Sequence, residues 1–198
     1  ADVISSGFIY DENNSTYQGG VDVYLGSATG LSTAPSASLS SDQNTSLYGV
    51  RVANAGDVNG DGYSDIIVGA PYYSNGENKE GRIEVFHGSA SGLITAPAFT
   101  YESNVTGDAL GFGAASAGDV NGDGRLDIIS AHQSANGVGV RLGNGDGTFR
   151  TLQMFAATFP TSIALADVND DRVLDVVTRS SQNHSISVLL GKDRKSTR

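Results

Sequence analysis

The stretch that decides the fold is Asp57-Val58-Asn59-Gly60-Asp61-Gly62-Tyr63-Ser64-Asp65, and the chain repeats its pattern twice more. The second copy runs from Asp119 to Asp127 and the third from Asp167 to Asp175. Each copy carries Asp or Asn at positions 1, 3, 5 and 9, so oxygen side chains recur round one tight turn. Hard oxygen ligands at this spacing suit Ca²⁺, which takes about six to eight of them. The sequence therefore predicts three calcium loops.

The predicted ligands of each loop are the side chains at positions 1, 3, 5 and 9 and the backbone carbonyl at position 7. In the first loop they are Asp57, Asn59, Asp61, Tyr63 (backbone) and Asp65. In the second they are Asp119, Asn121, Asp123, Arg125 (backbone) and Asp127. In the third they are Asp167, Asn169, Asp171, Val173 (backbone) and Asp175.

An EF-hand does not fit these loops. An EF-hand needs a bidentate Glu at position 12 and a helix on each side. Position 12 is Val68, Ser130 or Thr178 here, and each loop leads into a short apolar run rich in β-branched residues. We therefore expect each metal loop to join two strands of a β-hairpin.

The third loop departs from the pattern. Gly stands at positions 4 and 6 of the first two loops, but Asp170 and Arg172 replace it in the third. Glycine adopts a left-handed backbone at little cost, whereas arginine does not. We expect two strong Ca²⁺ sites and a weaker third.

The net charge of −10 agrees with metal loops. Ten of the 22 acidic residues lie in the three loops, so divalent cations would offset much of the charge where it is densest. Nucleic acid is excluded as a partner because no basic stripe occurs. The chain has no Cys, which excludes disulfides and thiolate chemistry, and no apolar run approaches the roughly 18 residues that span a membrane.

Self-comparison reveals a longer repeat around each loop. Gly81 to Leu93 matches Gly20 to Leu31, and the run that begins at Asp65 matches the run that begins at Asp2. Asp2 thus takes the last position of a loop whose other residues are missing, and we expect it to bind no ion.

The strand predictions follow these repeats, which we place at 1–46, 47–105, 106–155 and 156–191. Repeat one has strands at 2–9, 20–26 and 37–40, and repeat two has strands at 48–55, 65–70, 82–87 and 98–102. Repeat three has strands at 111–117, 127–132, 137–142 and 149–154, and repeat four has strands at 161–166, 174–179 and 185–190. No segment has helical periodicity.

Four-stranded units of this length are typical of propeller blades. The first repeat lacks its first strand and the fourth lacks its last. We predict an all-β chain: a β-propeller, or a propeller segment, of about four blades formed by residues 1–191 as one domain. A basic tail, 192–198, is predicted to be disordered. Either more blades or self-association would complete the ring, because open sheets leave unpaired edges.

The motifs around the loops resemble a known family. Tyr48-Gly49, the first loop and Gly69-Ala70-Pro71 are similar to the FG-GAP repeat of integrin α-subunit propellers and their bacterial relatives, and Phe112-Gly113 with the second loop matches the same pattern. The shorter repeats, with Gly143 to Phe149, resemble the related VCBS repeat. The resemblance implies a propeller whose blades hold Ca²⁺ between their first two strands.

No motif indicates an enzyme. The three histidines, His87, His132 and His184, lie near strand ends, and no nucleophile elbow, Walker loop or His-Glu-x-x-His occurs. Tyr72 and Tyr73 either pack between blades or form a ligand platform.

We therefore predict a calcium-binding, non-catalytic module, secreted or at the cell surface, that binds a protein or glycan in adhesion or recognition. The alternatives are an accessory or catalytic part of a secreted carbohydrate-active enzyme and a purely structural repeat array.

Overall fold

The structure, a computed structural model, describes residues 2–11 and 16–191, with the side chains of 8–11 and 16–18 left out. It is all-β, and no helix that could span a membrane occurs in these ranges. The predicted tail, 192–198, lies outside the described residues.

The strands form four antiparallel sheets in chain order. Sheet 1 contains β1 (Val3–Asp11), β2 (Thr16–Tyr24) and β5 (Ala37–Ser40). Sheet 2 contains β6 (Arg51–Gly56), β7 (Asp65–Ala70), β8 (Arg82–Phe86) and β9 (Phe99–Glu102). Sheet 3 contains β10 (Ala114–Gly118), β11 (Asp127–His132), β12 (Gly137–Arg141) and β13 (Gln153–Ala156). Sheet 4 contains β14 (Pro160–Ala166), β15 (Asp175–Ser180) and β16 (Ile186–Leu189).

This order confirms a propeller segment of four antiparallel blades. Sheets 1 and 4 have three strands each, as the repeat comparison predicted. The strands fall within the four proposed repeats, except that β13 ends at Ala156, one residue past the proposed boundary.

Several details differ from the strand predictions. A small hairpin of β3 (Gly26–Ser27) and β4 (Gly30–Leu31) lies outside them, and β2 begins at Thr16 instead of residue 20. The strands β6 and β10 begin at Arg51 and Ala114, three residues later than predicted. The last strand of sheet 3 was placed too early. Residues 144–148 close a turn in which the N–H of Asn144 donates to the carbonyl of Thr148, so the chain cannot extend until it has left that turn.

The core lies between the sheets, in three layers. The central strand β7 is buried on both faces: Ile66 and Val68 pack towards Val21 and Leu39 of sheet 1, and Ile67 packs towards sheet 3. A third layer joins sheets 3 and 4 through Val138, Val140 and Ile163. Each inner sheet therefore buries apolar surface against two neighbouring sheets. This burial is the main source of stability in such a stack.

Sheet 4 has one neighbour only among the described residues. Ile186 and Val188 occupy the places that Ile83 and Val85 fill in sheet 2. Ile83 and Val85 are at most 1% exposed, whereas Ile186 is 71% and Val188 49% exposed. The outer face of sheet 4 is thus an apolar strip without a covering sheet in the described chain.

Glycine permits the close stacking of sheets 2 and 3. A Cβ atom added at Gly69 of β7 would collide with the carbonyl oxygen of Gly111, in the segment that leads into sheet 3. The sequence marks Gly69 as a motif residue, and the structure shows what it does: the absence of a side chain lets two backbones touch.

We expect Gly69→Ala to lower the free energy of unfolding by about 1–3 kcal/mol, because the added methyl must push the backbones of sheets 2 and 3 apart. Denaturant unfolding measures the change. Gly7→Ala is the matched control, since Gly7 also lies in a second strand of its repeat but has no atom within 4 Å of the added Cβ. Equal losses for the two variants would contradict this role of Gly69.

Candidate metal centre

Each predicted metal loop joins the first two strands of its sheet, as the sequence predicted. The strands on either side pair with each other, with Gly56 opposite Asp65, Gly118 opposite Asp127 and Ala166 opposite Asp175. Antiparallel pairing at the base of the hairpin forces the intervening residues to turn within a short distance. All three loops therefore lie at the same end of their sheets.

The carboxylate at position 1 organises the turn. In the first loop Asp57 Oδ1 accepts the N–H groups of Gly60 and Asp61 at 2.8 and 3.0 Å, and Oδ2 accepts that of Gly62 at 2.8 Å. Asp119 and Asp167 accept the N–H groups at positions 5 and 6 of their loops in the same way. These hydrogen bonds alone hold the loop backbone in a turn around the first aspartate.

Positions 3 and 5 continue this pattern. Asn59 Oδ1 accepts the N–H of Asp61 at 3.1 Å, and Asp61 Oδ1 accepts the N–H of Tyr63 at 2.9 Å. The second and third loops repeat both bonds. Among the hydrogen bonds of the described residues, none ends on the backbone carbonyl at position 7, so that oxygen stays available to an ion.

These hydrogen bonds keep the loop carboxylates ionised. The N–H of Tyr63, with the amide of Asn59, lowers the pKa of Asp61. Burial acts to raise the pKa of Asp119, but the N–H groups of Gly124 and Asp123 outweigh it, and the pKa is lowered. The pKa of Asp167 is lowered by the same balance. Ionised carboxylates are the form that binds a cation.

The aspartate at position 9 has a structural task that the sequence did not reveal. Asp65 is fully buried, with Oδ2 accepting the N–H of Val58 at 2.8 Å and Oδ1 accepting the N–H of Gly88 at 2.9 Å. Asp127 binds Val120 and Gly143, and Asp175 binds Val168 and Gly191, in the same arrangement. This carboxylate ties the start of the loop to the end of the third strand.

Asp2 keeps half of this arrangement. Its Oδ1 accepts the N–H of Gly26 at 2.9 Å, the bond that Asp65 makes with Gly88. The repeat comparison predicted that Asp2 binds no ion, and it did not predict this hydrogen bond. The signal was present in the repeat alignment, which places Gly26 and Gly88 at one position.

The position-9 carboxylates also explain how the acidic groups are distributed. Burial raises the pKa of Asp65 and Asp127, although two N–H groups on each oppose the effect. Since these carboxylates bond to backbone amides, each loop presents an oxygen set that mixes two carboxylates, one amide and one carbonyl. Accordingly, no group of three or more acidic or histidine side chains in residues 2–11 and 16–191 is arranged as a metal cluster.

The donor set fits Ca²⁺ better than it fits zinc or copper. It consists of oxygen atoms alone, without the sulfur or imidazole ligands that zinc and copper favour. The backbone hydrogen bonds hold these oxygens on one turn in all three loops. Position 9 would add its carboxylate if its remaining lone pairs reach the ion.

The histidines do not form a site of their own. His132 is 2% exposed, with Nδ1 at 2.6 Å from Asp108 Oδ2 and Nε2 at 3.1 Å from Ser130 Oγ. The order Ser–His–Asp matches a hydrolase triad, but all three side chains are buried, where substrate has no access. The group therefore ties the segment before β10 to strand β11.

The tyrosine pair packs against neighbours. Tyr73 is buried with the guanidinium of Arg82 over its ring at 3.8 Å, and Tyr72 meets Phe112 edge to face at 5.7 Å. These contacts support the packing interpretation over the ligand platform.

We expect Asp65→Ala to lower the unfolding free energy by about 2–6 kcal/mol in excess EDTA, because it leaves the buried N–H groups of Val58 and Gly88 without acceptors. Chelator removes metal binding from the comparison, and denaturant unfolding measures the loss. Asp2→Ala is the control, since Asp2 takes the same position but is exposed. A loss for Asp65→Ala no larger than for this control would refute the structural task.

Comparison with known protein families agrees with this geometry. An FG-GAP repeat family model matches residues 48–86, and an FG-GAP-like repeat model matches residues 119–178. The two matches together cover half of the chain; the first contains one complete metal loop and the second contains two.

Integrin α-subunits are among the similar proteins. The chain is 41% identical to integrin alpha pat-2 of Caenorhabditis briggsae over 123 residues, which is 60% of this chain and 10% of that protein. It is 38% identical to human integrin alpha-IIb over 108 residues, or 54% of this chain and 10% of that protein. The chain thus spans about a tenth of the length of these relatives. With the repeats, the loops and the antiparallel sheets in agreement, the chain is an integrin-like protein of the FG-GAP repeat family.

Proposed function

We propose that the chain is a calcium-stabilised, non-catalytic recognition module that acts outside the cell. The observation that carries the proposal is the hydrogen-bond pattern that the three acidic loops share. Similarity to integrin α-subunits supports the adhesion or recognition role and the extracellular or cell-surface location. Its ligand is a protein or a glycan.

Calcium would act on stability first. Positions 1 and 5 bring two ionised carboxylates onto one turn in each loop, so the empty loops repel within themselves. An ion held by Asp57, Asn59, Asp61, the carbonyl of Tyr63 and Asp65 would relieve this repulsion and clamp the hairpin. The corresponding residues of the second and third loops would do the same, and metal binding would then contribute directly to folding.

We expect the melting temperature to rise with calcium and to fall substantially in excess EDTA, because the ion binds the folded loops and not the unfolded chain. Extracellular modules bind Ca²⁺ at roughly 10⁻⁴ to 10⁻³ M, so the titration should extend to several millimolar. Thermal unfolding at fixed ionic strength measures the effect, with Mg²⁺ as the control ion. An unchanged melting temperature would refute the calcium proposal.

The third loop is proposed as the weakest of the three. Asp170 and Arg172 have φ angles of 61° and 69°, where the first loop has Gly60 and Gly62. A left-handed backbone costs residues with a side chain roughly 1–2 kcal/mol each, less for Asp, and this cost lowers the population of the loop that can bind.

We expect the double variant Asp170→Gly, Arg172→Gly to strengthen the third site about tenfold or more, since it removes this strain and the nearby positive charge. Isothermal titration calorimetry would resolve two similar sites and one weaker site in the natural chain. The reciprocal change in the second loop, Gly122→Asp with Gly124→Arg, should weaken that site instead. Three equal affinities in the natural chain would refute the ranking.

The alternative functions differ in whether the chain binds a ligand, cleaves it or does neither. A catalytic part of a carbohydrate-active enzyme would cleave polysaccharide, an accessory part would bind polysaccharide without cleaving it, and a structural array would bind nothing. A glycan array and a degradation assay separate these outcomes.

Self-association to complete the ring is supported by the exposed strip of Ile186, Val188 and Leu190, and light scattering measures it.

A further inference from the structure

A cleft of about 290 Å³ lies between the metal loops of sheets 2 and 3. One wall is formed by Asp57, Val58 and Gly60 of the first loop. The other wall comes from the second loop and from the turn after β12. Its residues are Gly124, Arg125, Leu126, Asn144 and Gly145. The cleft thus exists only because two repeats, about 60 residues apart in sequence, stack side by side.

The two walls are fixed to each other. The N–H of Gly147 donates to the carbonyl of Val58 at 3.2 Å, which joins the turn of sheet 3 to the loop of sheet 2. A Cβ atom at Gly147 would collide with the ring of His87, so the turn rests directly on the neighbouring sheet. Phe99 and Phe149 pack below at 4.9 Å between ring centroids. The cleft is therefore preformed.

The rim has two polar side chains with hydrogen-bonding capacity left for a ligand. Arg125 donates hydrogen bonds, and the amide of Asn144 has one N–H and one lone pair free beside its bonds to Thr148 and Arg150, whereas the carboxylate of Asp57 is taken up by its own loop. The guanidinium of Arg125 makes no ion pair among the described residues, although it contributes, after the bonds from Thr148, to the lowered pKa of Asp146. Arg125 is also exposed, so its donors can turn towards a ligand.

The floor and the backbone walls complete the site. Val58 and Leu126 supply an apolar floor, while Gly60 and Gly124 leave the backbone uncovered. A Cβ atom at Gly124 would meet nothing within 4 Å, and one at Gly60 would meet only the carbonyl oxygen of Gly145, at 3.7 Å. A ligand can therefore approach the backbone closely.

We propose that this cleft binds a single sugar ring of a glycan, a ligand class that deepens the recognition function proposed above and rests on it. Hydroxyl groups donate and accept, so one polyol satisfies the guanidinium and the amide together. The C–H face of the ring covers Leu126, since Val58 is 2% exposed. The volume lies at the lower limit of about 300–1,000 Å³ that is typical for ligand pockets, which suits one ring and excludes a folded peptide.

The test is a nuclear magnetic resonance titration of ¹⁵N-labelled, calcium-saturated protein with the methyl glycosides of mannose, galactose, glucose, fucose and N-acetylglucosamine. We expect at least one glycoside to shift the amide signals of Gly60, Gly124 and Gly145, which lie on both walls. Absence of shifts with every glycoside, or shifts confined to other residues, would overturn the proposal.

Arg125→Ala supplies the matching variant. At a calcium concentration that saturates both proteins, the affinity of the variant for the glycoside should fall about tenfold, because the guanidinium donors are lost. Arg179→Ala is the control, because Arg179 is equally exposed but lies in sheet 4. Unchanged glycoside affinity in Arg125→Ala would also overturn the proposal.

Calorimetric calcium titration of the same samples separates the two proposals. Calcium binding without any glycoside shift refutes the sugar site and leaves the calcium module intact. Failure to bind calcium refutes the module itself.

Discussion

The buried aspartate at the head of each second strand is the interaction on which the structure depends. Asp65 accepts one N–H from the start of its own loop and one from Gly88, at the end of the third strand. One side chain thereby fixes the turn, the second strand and the third strand in a single register. Burying a carboxylate is costly unless its oxygens are hydrogen-bonded, and here both oxygens are. The same two bonds recur at Asp127 and Asp175.

The acidic residues of a loop therefore have different structural roles. The aspartate at position 9 faces the sheet, whereas positions 1 and 5 remain near solvent and bond to the loop backbone. The hairpin can therefore form its shape without an ion, while its outer oxygens stay close enough to repel one another. A bound cation would offset that repulsion. The proposed metal binding would in this way complete an electrostatic arrangement that the fold of the loop begins.

Stacking of the sheets turns a local repeat into a larger surface. Gly69 and Gly111 allow the backbone of sheet 2 to touch the segment that leads into sheet 3. Two metal loops are thereby brought side by side, with a cleft between them. The outer sheet 4 shows the converse: without a neighbour among the described residues, Ile186 and Val188 stay exposed.

The sequence by itself determined the repeat, the class of fold and the position of most strands. These features are recorded locally, in apolar alternation, in turn residues and in the spacing of Asp and Asn, so a single chain suffices to find them. It also marked Asp170 and Arg172 as departures, since the need for a left-handed backbone is a property of the turn alone. Only the tertiary structure decided which aspartate is buried, why Gly69 must lack a side chain and that Asp57 faces Arg125 across a cleft. Those facts depend on how one sheet packs against the next, and contacts between distant repeats leave no periodic trace in the residues that make them.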